Sequence, residues 1–166
     1  MHPAERDNMH VPQTVKYKIA DRCDLKADVY VPERGDAAAV ILWIHGGALI
    51  GGNRKDIREE QLEFYLRNGY ALVSIDYRLA PETKLPEIIA DIRDAYDWLR
   101  REGRQRFGFD TRRIGVAGHS AGGYLTLMTG FCVSPRPRAL VSFYGYGDLT
   151  GGWYSRPDPF YCKLAP

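Results

Sequence analysis

The chain has 166 residues, 45% of them apolar and 27% charged, with a formal net charge of +2; that is enough for one domain with a real core and too little for two. Its 23 basic and 21 acidic side chains are mixed along the whole length, so no basic arm or stripe asks for nucleic acid. The first ten residues carry Glu5, Arg6 and Asp7 in place of the apolar run of a secretory signal. The longest apolar stretches fall far short of the roughly 20 residues of a membrane span. A soluble, cytoplasmic protein without membrane contact is expected.

In chain order, Thr14 to Ala20 alternates Val15, Tyr17 and Ile19 with polar residues, and Lys26 to Val31 does so more weakly. Both read as half-exposed antiparallel strands. Pro32 to Asp36 is a turn signal, and Ala39 to Ile44 is a nearly continuous apolar run, as in a strand buried on both faces. From Asn53 onward, Ile57, Leu62, Phe64, Tyr65 and Leu66 suggest a helix that stops near Asn68-Gly69, with Gly69 as its cap. Tyr70 to Ile75 is a second buried strand, followed by a turn-rich stretch to Pro86. From Leu85 to Leu99 apolar residues recur at three- and four-residue steps, which predicts an amphipathic helix. Arg113 to Ala117 is a third buried strand, Ala121 to Phe131 an apolar helix and Ala139 to Tyr144 a fourth buried strand, while Gly145 to Pro166 has no clear period. Strands alternating with helices imply an α/β class, with a mostly parallel sheet and helices on both faces.

Three cysteines, Cys23, Cys132 and Cys162, are an odd number without metal-type spacing, so reduced thiols and no zinc site are expected. The arginines between Arg100 and Arg113 read as a solvated helix end favoured by the helix dipole.

The strongest chemical signal is Gly118-His119-Ser120-Ala121-Gly122, a G-x-S-x-G sequence between a buried strand and a helix. A tight turn there lifts the serine hydroxyl above the sheet, and small residues two before and two after it avoid backbone clashes. A nucleotide-binding reading of the same glycines needs an acidic residue at the end of the next strand; Ser142 and Phe143 stand there instead. The second signal is His45-Gly46-Gly47-Ala48 after an earlier buried strand. Small residues let its backbone approach a substrate carbonyl, and the oxyanion formed in acyl transfer needs donors worth roughly 3 to 4 kcal/mol apiece. Ser120 is the candidate nucleophile, and the N–H groups of Gly47, Ala48 and Ala121 are the candidate oxyanion hole. His45 is read as a loop anchor.

With these motifs the chain resembles the carboxylesterase and lipase-like α/β-hydrolases that carry an H-G-G motif, the group related to hormone-sensitive lipase. The likeness runs from about Tyr17 to about Trp153 and rests on Trp43-Ile44-His45-Gly46-Gly47-Ala48, on Asp76-Tyr77-Arg78-Leu79-Ala80-Pro81-Glu82 and on Gly118-His119-Ser120-Ala121-Gly122-Gly123. It implies ester hydrolysis of a small-molecule substrate without metal or cofactor, and it matches Ser120 to the nucleophile and Gly47, Ala48 and Ala121 to the oxyanion donors. Ala48 stands where many relatives have a third glycine, and Tyr77, Arg78 and Glu82 are expected to hold loops.

The resemblance also implies a triad in the order serine, acid, histidine, yet no histidine follows Ser120; the four are His2, His10, His45 and His119. Asp148 and Asp158 follow the serine, but the acid of similar enzymes comes from a later strand. A complete domain of this kind has eight strands and roughly 100 more residues, so residues 1–166 are expected to be a single incomplete α/β-hydrolase domain lacking its C-terminal strands and helices, with triad acid and base unknown. Two other readings stand beside the esterase: a catalytically silent truncated product or binding remnant, and a serine peptidase or amidase using the same machinery.

Overall fold

Five-residue, mostly apolar runs with no charge among them can pay the cost of ordering only when both faces are covered, and two such runs form the centre of the sheet. In the computed structural model, which describes residues 10–32, 39–152, 156–157 and 159–163, these are β3 (Val40–Ile44) and β4 (Ala71–Ile75). The alternating segments form the flanking hairpin, β1 (Gln13–Ala20) and β2 (Cys23–Tyr30). Beyond β3 lie β5 (Ile114–His119) and β6 (Ala139–Phe143), giving the order β1-β2-β4-β3-β5-β6. The hairpin and its junction with β4 are antiparallel, and the other pairings are parallel. His2, Trp153, Asp158 and the turn signal from residue 33 onward lie outside the described residues.

Helices α1 (Glu59–Arg67), α2 (Leu85–Phe107) and α3 (Ala121–Cys132) make the crossovers. Leu62 and Leu66 of α1 cover one face with Tyr30, Trp43, Leu72 and Ala117. Ile88, Ile92, Ala95 and Leu99 of α2, with Leu125 of α3, cover the other over Val40, Leu42, Ile44, Val73, Ile75 and Val116. Helices therefore lie on both faces, as the alternation of elements predicts. From β3 the chain runs outward to β4 on one side and later returns to β5 on the other. The C-terminal ends of β3 and β5 thus flank the point where strand order reverses, the place where open α/β sheets form crevices.

Two expectations are corrected. The helix read from Asn53 starts only at Glu59, because the preceding segment is held by side chains instead of a helical ladder. Arg54 donates from Nε to Asp28 at 2.9 Å and from Nη1 to Asp76 at 2.9 Å, and its carbonyl accepts from the Ser74 hydroxyl at 2.6 Å. Its C-terminal boundary matches: Asn68 is the cap and Gly69 follows at φ +77. The second correction is β6, whose composition predicts burial but whose Leu140 and Val141 are 37% and 43% exposed. Among the described residues it pairs only with β5, at the edge of the sheet.

A buried ion cluster ties the site loops to the scaffold. Asp91 of α2 is fully buried and accepts from Arg78 Nε at 2.8 Å, Arg78 Nη2 at 2.9 Å and Lys18 Nζ at 2.6 Å. Burial alone would raise its pKa, but the bonds from Arg78 and Lys18 outweigh burial and hold the carboxyl below its ordinary value. Arg78 thus anchors the loop after β4, as its place in the middle sequence block suggests.

Candidate active site

Ser120 stands between β5 and α3 with φ 53 and ψ −120, a region that L-residues enter at a cost of order 1 to 3 kcal/mol and that clusters at functional sites. Its N–H donates to Phe143 O at 2.9 Å and its carbonyl accepts from Tyr124 N–H at 3.1 Å, so both backbone groups are held while the side chain stays half-buried. The turn is possible only because its flanks lack side chains. A Cβ on Gly118 would sit 2.5 Å from Gly122 O and 2.6 Å from Ile44 O, and one on Gly122 would collide with the carbonyl oxygens of Ile44 and His45. These clashes show how closely the start of α3 abuts the end of β3. The first N–H groups of α3, beginning with that of Ala121, have no partner within the helix and add its positive end to the region beside Ser120.

Across the strand-order reversal, β3 gives way to the loop His45-Gly46-Gly47-Ala48. Gly47 has φ +106, and a Cβ there would collide with Gly51 O. Its carbonyl accepts from the N–H groups of Ile50 and Gly51 at 3.0 and 2.9 Å, which closes the loop into a turn. Ala48 has φ 55, so the position tolerates alanine only with strain of about 1 to 2 kcal/mol and suits glycine better. Gly47 and Ala48 are exposed, Ala121 is buried, and all three belong to segments that meet at the switch point.

His45 is buried and anchors this loop. Its Nδ1 lies 2.7 Å from Gly46 O, so it carries the proton and donates, and its ring stacks on Tyr77 at 4.2 Å between centroids. Burial lowers its pKa, which keeps the ring neutral at physiological pH, against the opposing pull of the Gly46 carbonyl. Tyr77 donates its hydroxyl to His45 O at 3.0 Å, and burial raises its pKa. No hydrogen bond joins Ser120 Oγ to any histidine among the described residues.

His119 adjoins Ser120 in sequence, but neighbouring side chains across a sharp turn diverge, which makes it a poor base for that hydroxyl. Its ring packs on Gly46 and lies 5.8 Å from the Trp43 ring and 6.1 Å from the Tyr144 ring. Burial lowers its pKa, assisted by Arg58 and opposed by Asp56. The contact with Gly46 escaped sequence reasoning, although strand alternation carries the signal: Gly115, Ala117 and His119 share the face of β5 turned toward Trp43. A cleft of about 670 Å³ opens beside it, lined by Asp56, Arg58, Glu60 and Gln61; Ser120 is not among its lining residues.

Among the described residues no group of three or more His, Cys, Asp or Glu side chains is placed to hold a metal ion, and no helix is long and apolar enough to cross a membrane.

Comparison with known proteins agrees with this architecture. Esterase 2 of Thermogutta terrifontis in its propionate-bound structure is 25% identical with a TM-score of 0.70, over 81% of this chain and 55% of that one. The same esterase phosphorylated by paraoxon is 28% identical with a TM-score of 0.64, over 71% of this chain and 46% of that one. In sequence, a non-reducing polyketide synthase of Aspergillus novofumigatus is 36% identical over 97% of this chain and 8% of its own length. Another from Preussia isomera is 36% identical over 90% of this chain and 7% of its own length. The chain thus spans less than a tenth of the curated relatives it matches. The BD-FAE family model matches residues 27–150, from within β2 to beyond β6 and including both the glycine loop and the serine turn; the chain belongs to this α/β-hydrolase family.

Proposed function

We propose that the 166 residues form the nucleophile-bearing part of a serine hydrolase acting on carboxylic esters. The observation that carries this reading is Ser120 at φ 53 on a turn that abuts the glycine loop after β3. Ser120 Oγ attacks the ester carbonyl, its proton passes to a base, and the oxyanion is received by the N–H groups of Gly47, Ala48 and Ala121. The alcohol leaves, and water cleaves the acyl-enzyme. The likeness to an esterase supports the ester as substrate class, and the likeness to polyketide synthases supports a polyketide as the acyl portion.

No histidine follows Ser120 in the sequence, and His45 and His119 are engaged with the Gly46 backbone. The base and its acid are therefore assigned to polypeptide outside these residues. The same observation favours a second reading for the 166 residues taken alone, a catalytically silent unit, since triad deletion leaves only about 10³ to 10⁴ over water.

Turnover of p-nitrophenyl butyrate decides between them. The reading expects negligible steady-state turnover by residues 1–166 and full turnover, abolished by Ser120→Ala, in a longer polyketide synthase polypeptide containing them. Rapid turnover that survives Ser120→Ala would overturn it.

A further inference from the structure

The Gly46–Gly47 peptide is planar, so its carbonyl and its N–H point in opposite directions and fixing one aims the other. Three side chains hold this peptide. The Gly46 carbonyl accepts from His45 Nδ1 at 2.7 Å and lies 3.4 Å from the Tyr77 hydroxyl. From another side, a Cβ on Gly46 would lie 2.8 Å from His119 Nε2, 2.9 Å from its Cδ2 and 2.9 Å from its carbonyl oxygen. The Gly46 Cα therefore rests on the His119 ring and backbone, and glycine is required for that approach. The ring is itself backed by Trp43 and Tyr144. His119 is the last residue of β5 and the residue immediately before Ser120, so one side chain is covalently fixed to the serine turn and seats the loop opposite it.

We infer that His119 is a positioning residue: its ring sets the distance and direction of the Gly47 N–H relative to Ser120 by supporting Gly46 from below. The inference rests on the oxyanion role proposed above for Gly47. In this arrangement the residue between Gly118 and Ser120 is a planar spacer, and its ring chemistry takes no part in proton transfer. A flat side chain of similar size keeps the function, whereas truncation leaves Gly46 unsupported while the Ser120 backbone remains held by Phe143 and Tyr124.

Two measurements test it with His119→Ala, His119→Asn and His119→Phe, exchange on residues 1–166 and labelling in a longer polypeptide that includes the base proposed above. Amide hydrogen exchange should rise by about tenfold at Ile50 and Gly51, whose N–H groups are bonded to the Gly47 carbonyl, in the Ala and Asn variants, with β3 and β4 amides unchanged, and should return to the wild-type rate in the Phe variant. The rate of Ser120 modification by a fluorophosphonate should fall about 10- to 100-fold in the maximal inactivation rate, with half-saturating concentration unchanged, again restored by Phe. Loop exchange unchanged in the truncated variants, or a Phe variant as impaired as Ala, would overturn the inference. Absence of Ser120 labelling in a longer wild-type polypeptide that includes the proposed base, with the exchange pattern as predicted, would sink the proposed hydrolase reading and leave the positioning role standing.

Discussion

Two strands of the sheet carry almost the same sequence and meet opposite fates. β4 reads Ala71-Leu72-Val73-Ser74-Ile75 and is buried at every residue, while β6 reads Ala139-Leu140-Val141-Ser142-Phe143 and is exposed at every residue but Ser142. β4 lies between β2 and β3, with α1 on one face and α2 on the other. Among the described residues β6 has one strand neighbour, β5, and its face bearing Leu140 and Ser142 meets a helix: Leu140 reaches Gly130 and Ser142 reaches Gly123 of α3. Strand composition therefore states what kind of surroundings a segment can use, and position in the sheet decides whether it obtains them.

The widest separation between the two strands should appear on truncating their matching leucines. Leu72→Ala should cost about 4 kcal/mol by leaving a cavity, whereas Leu140→Ala should cost under about 1 kcal/mol; equal losses in urea unfolding would break the comparison. Next, Gly122→Ala probes the backbone contact that joins the start of α3 to the centre. Its methyl group would collide with Ile44 and His45 carbonyls, and a loss of about 3 kcal/mol in chemical denaturation is expected.

Asp91→Asn sharpens the same contrast through charge. It should cost about 2 kcal/mol at neutral pH, because Arg78 and Lys18 keep only their more exposed partners Asp21 and Asp94. With its folded pKa held below the ordinary value, ionised Asp91 contributes stability above about pH 4 that is lost as pH falls through the folded value. The pH dependence of unfolding should therefore flatten in this acid range in the Asn variant.

Burial pushes the His45 pKa down, so between about pH 6.5 and the lower folded value the unfolded chain binds the proton and the folded chain does not. Stability should thus fall as pH drops below about 6.5, and His45→Asn, whose amide can still donate to Gly46 O, should flatten part of that slope. His119, lowered in the same direction, supplies the remainder. The smallest effect belongs to Ala48→Gly, which relieves a φ of 55 and should gain about 0.5 to 1 kcal/mol in thermal unfolding.

Most of the architecture was legible in the sequence because period and run length report directly on burial and pitch. The apolar recurrence from Leu85 to Leu99 belongs to α2, and Ala39 to Ile44 belongs to β3. The serine turn was legible because only small residues at 118 and 122 permit it. What failed were features set by distant partners. The Asn53 to Arg58 segment reads as helical, but Arg54 is claimed by Asp28 within β2 and Asp76 just after β4. β6 looks like β4 because local sequence holds no record of how many neighbours a strand has. The seat of Gly46 on His119 joins residues 73 apart, and neither motif by itself reveals it.

The central claim is that Ser120 is an activated position of a hydrolase site, and covalent labelling tests it most directly. After a longer polypeptide that contains these residues and the proposed base is treated with an excess of a fluorophosphonate, peptide mass mapping of residues 1–166 should find one adduct, on Ser120, that disappears in Ser120→Ala and slows in His119→Ala. Labelling at other serines to the same extent, or a Ser120 that stays unmodified while the folded sheet is intact, would contradict it.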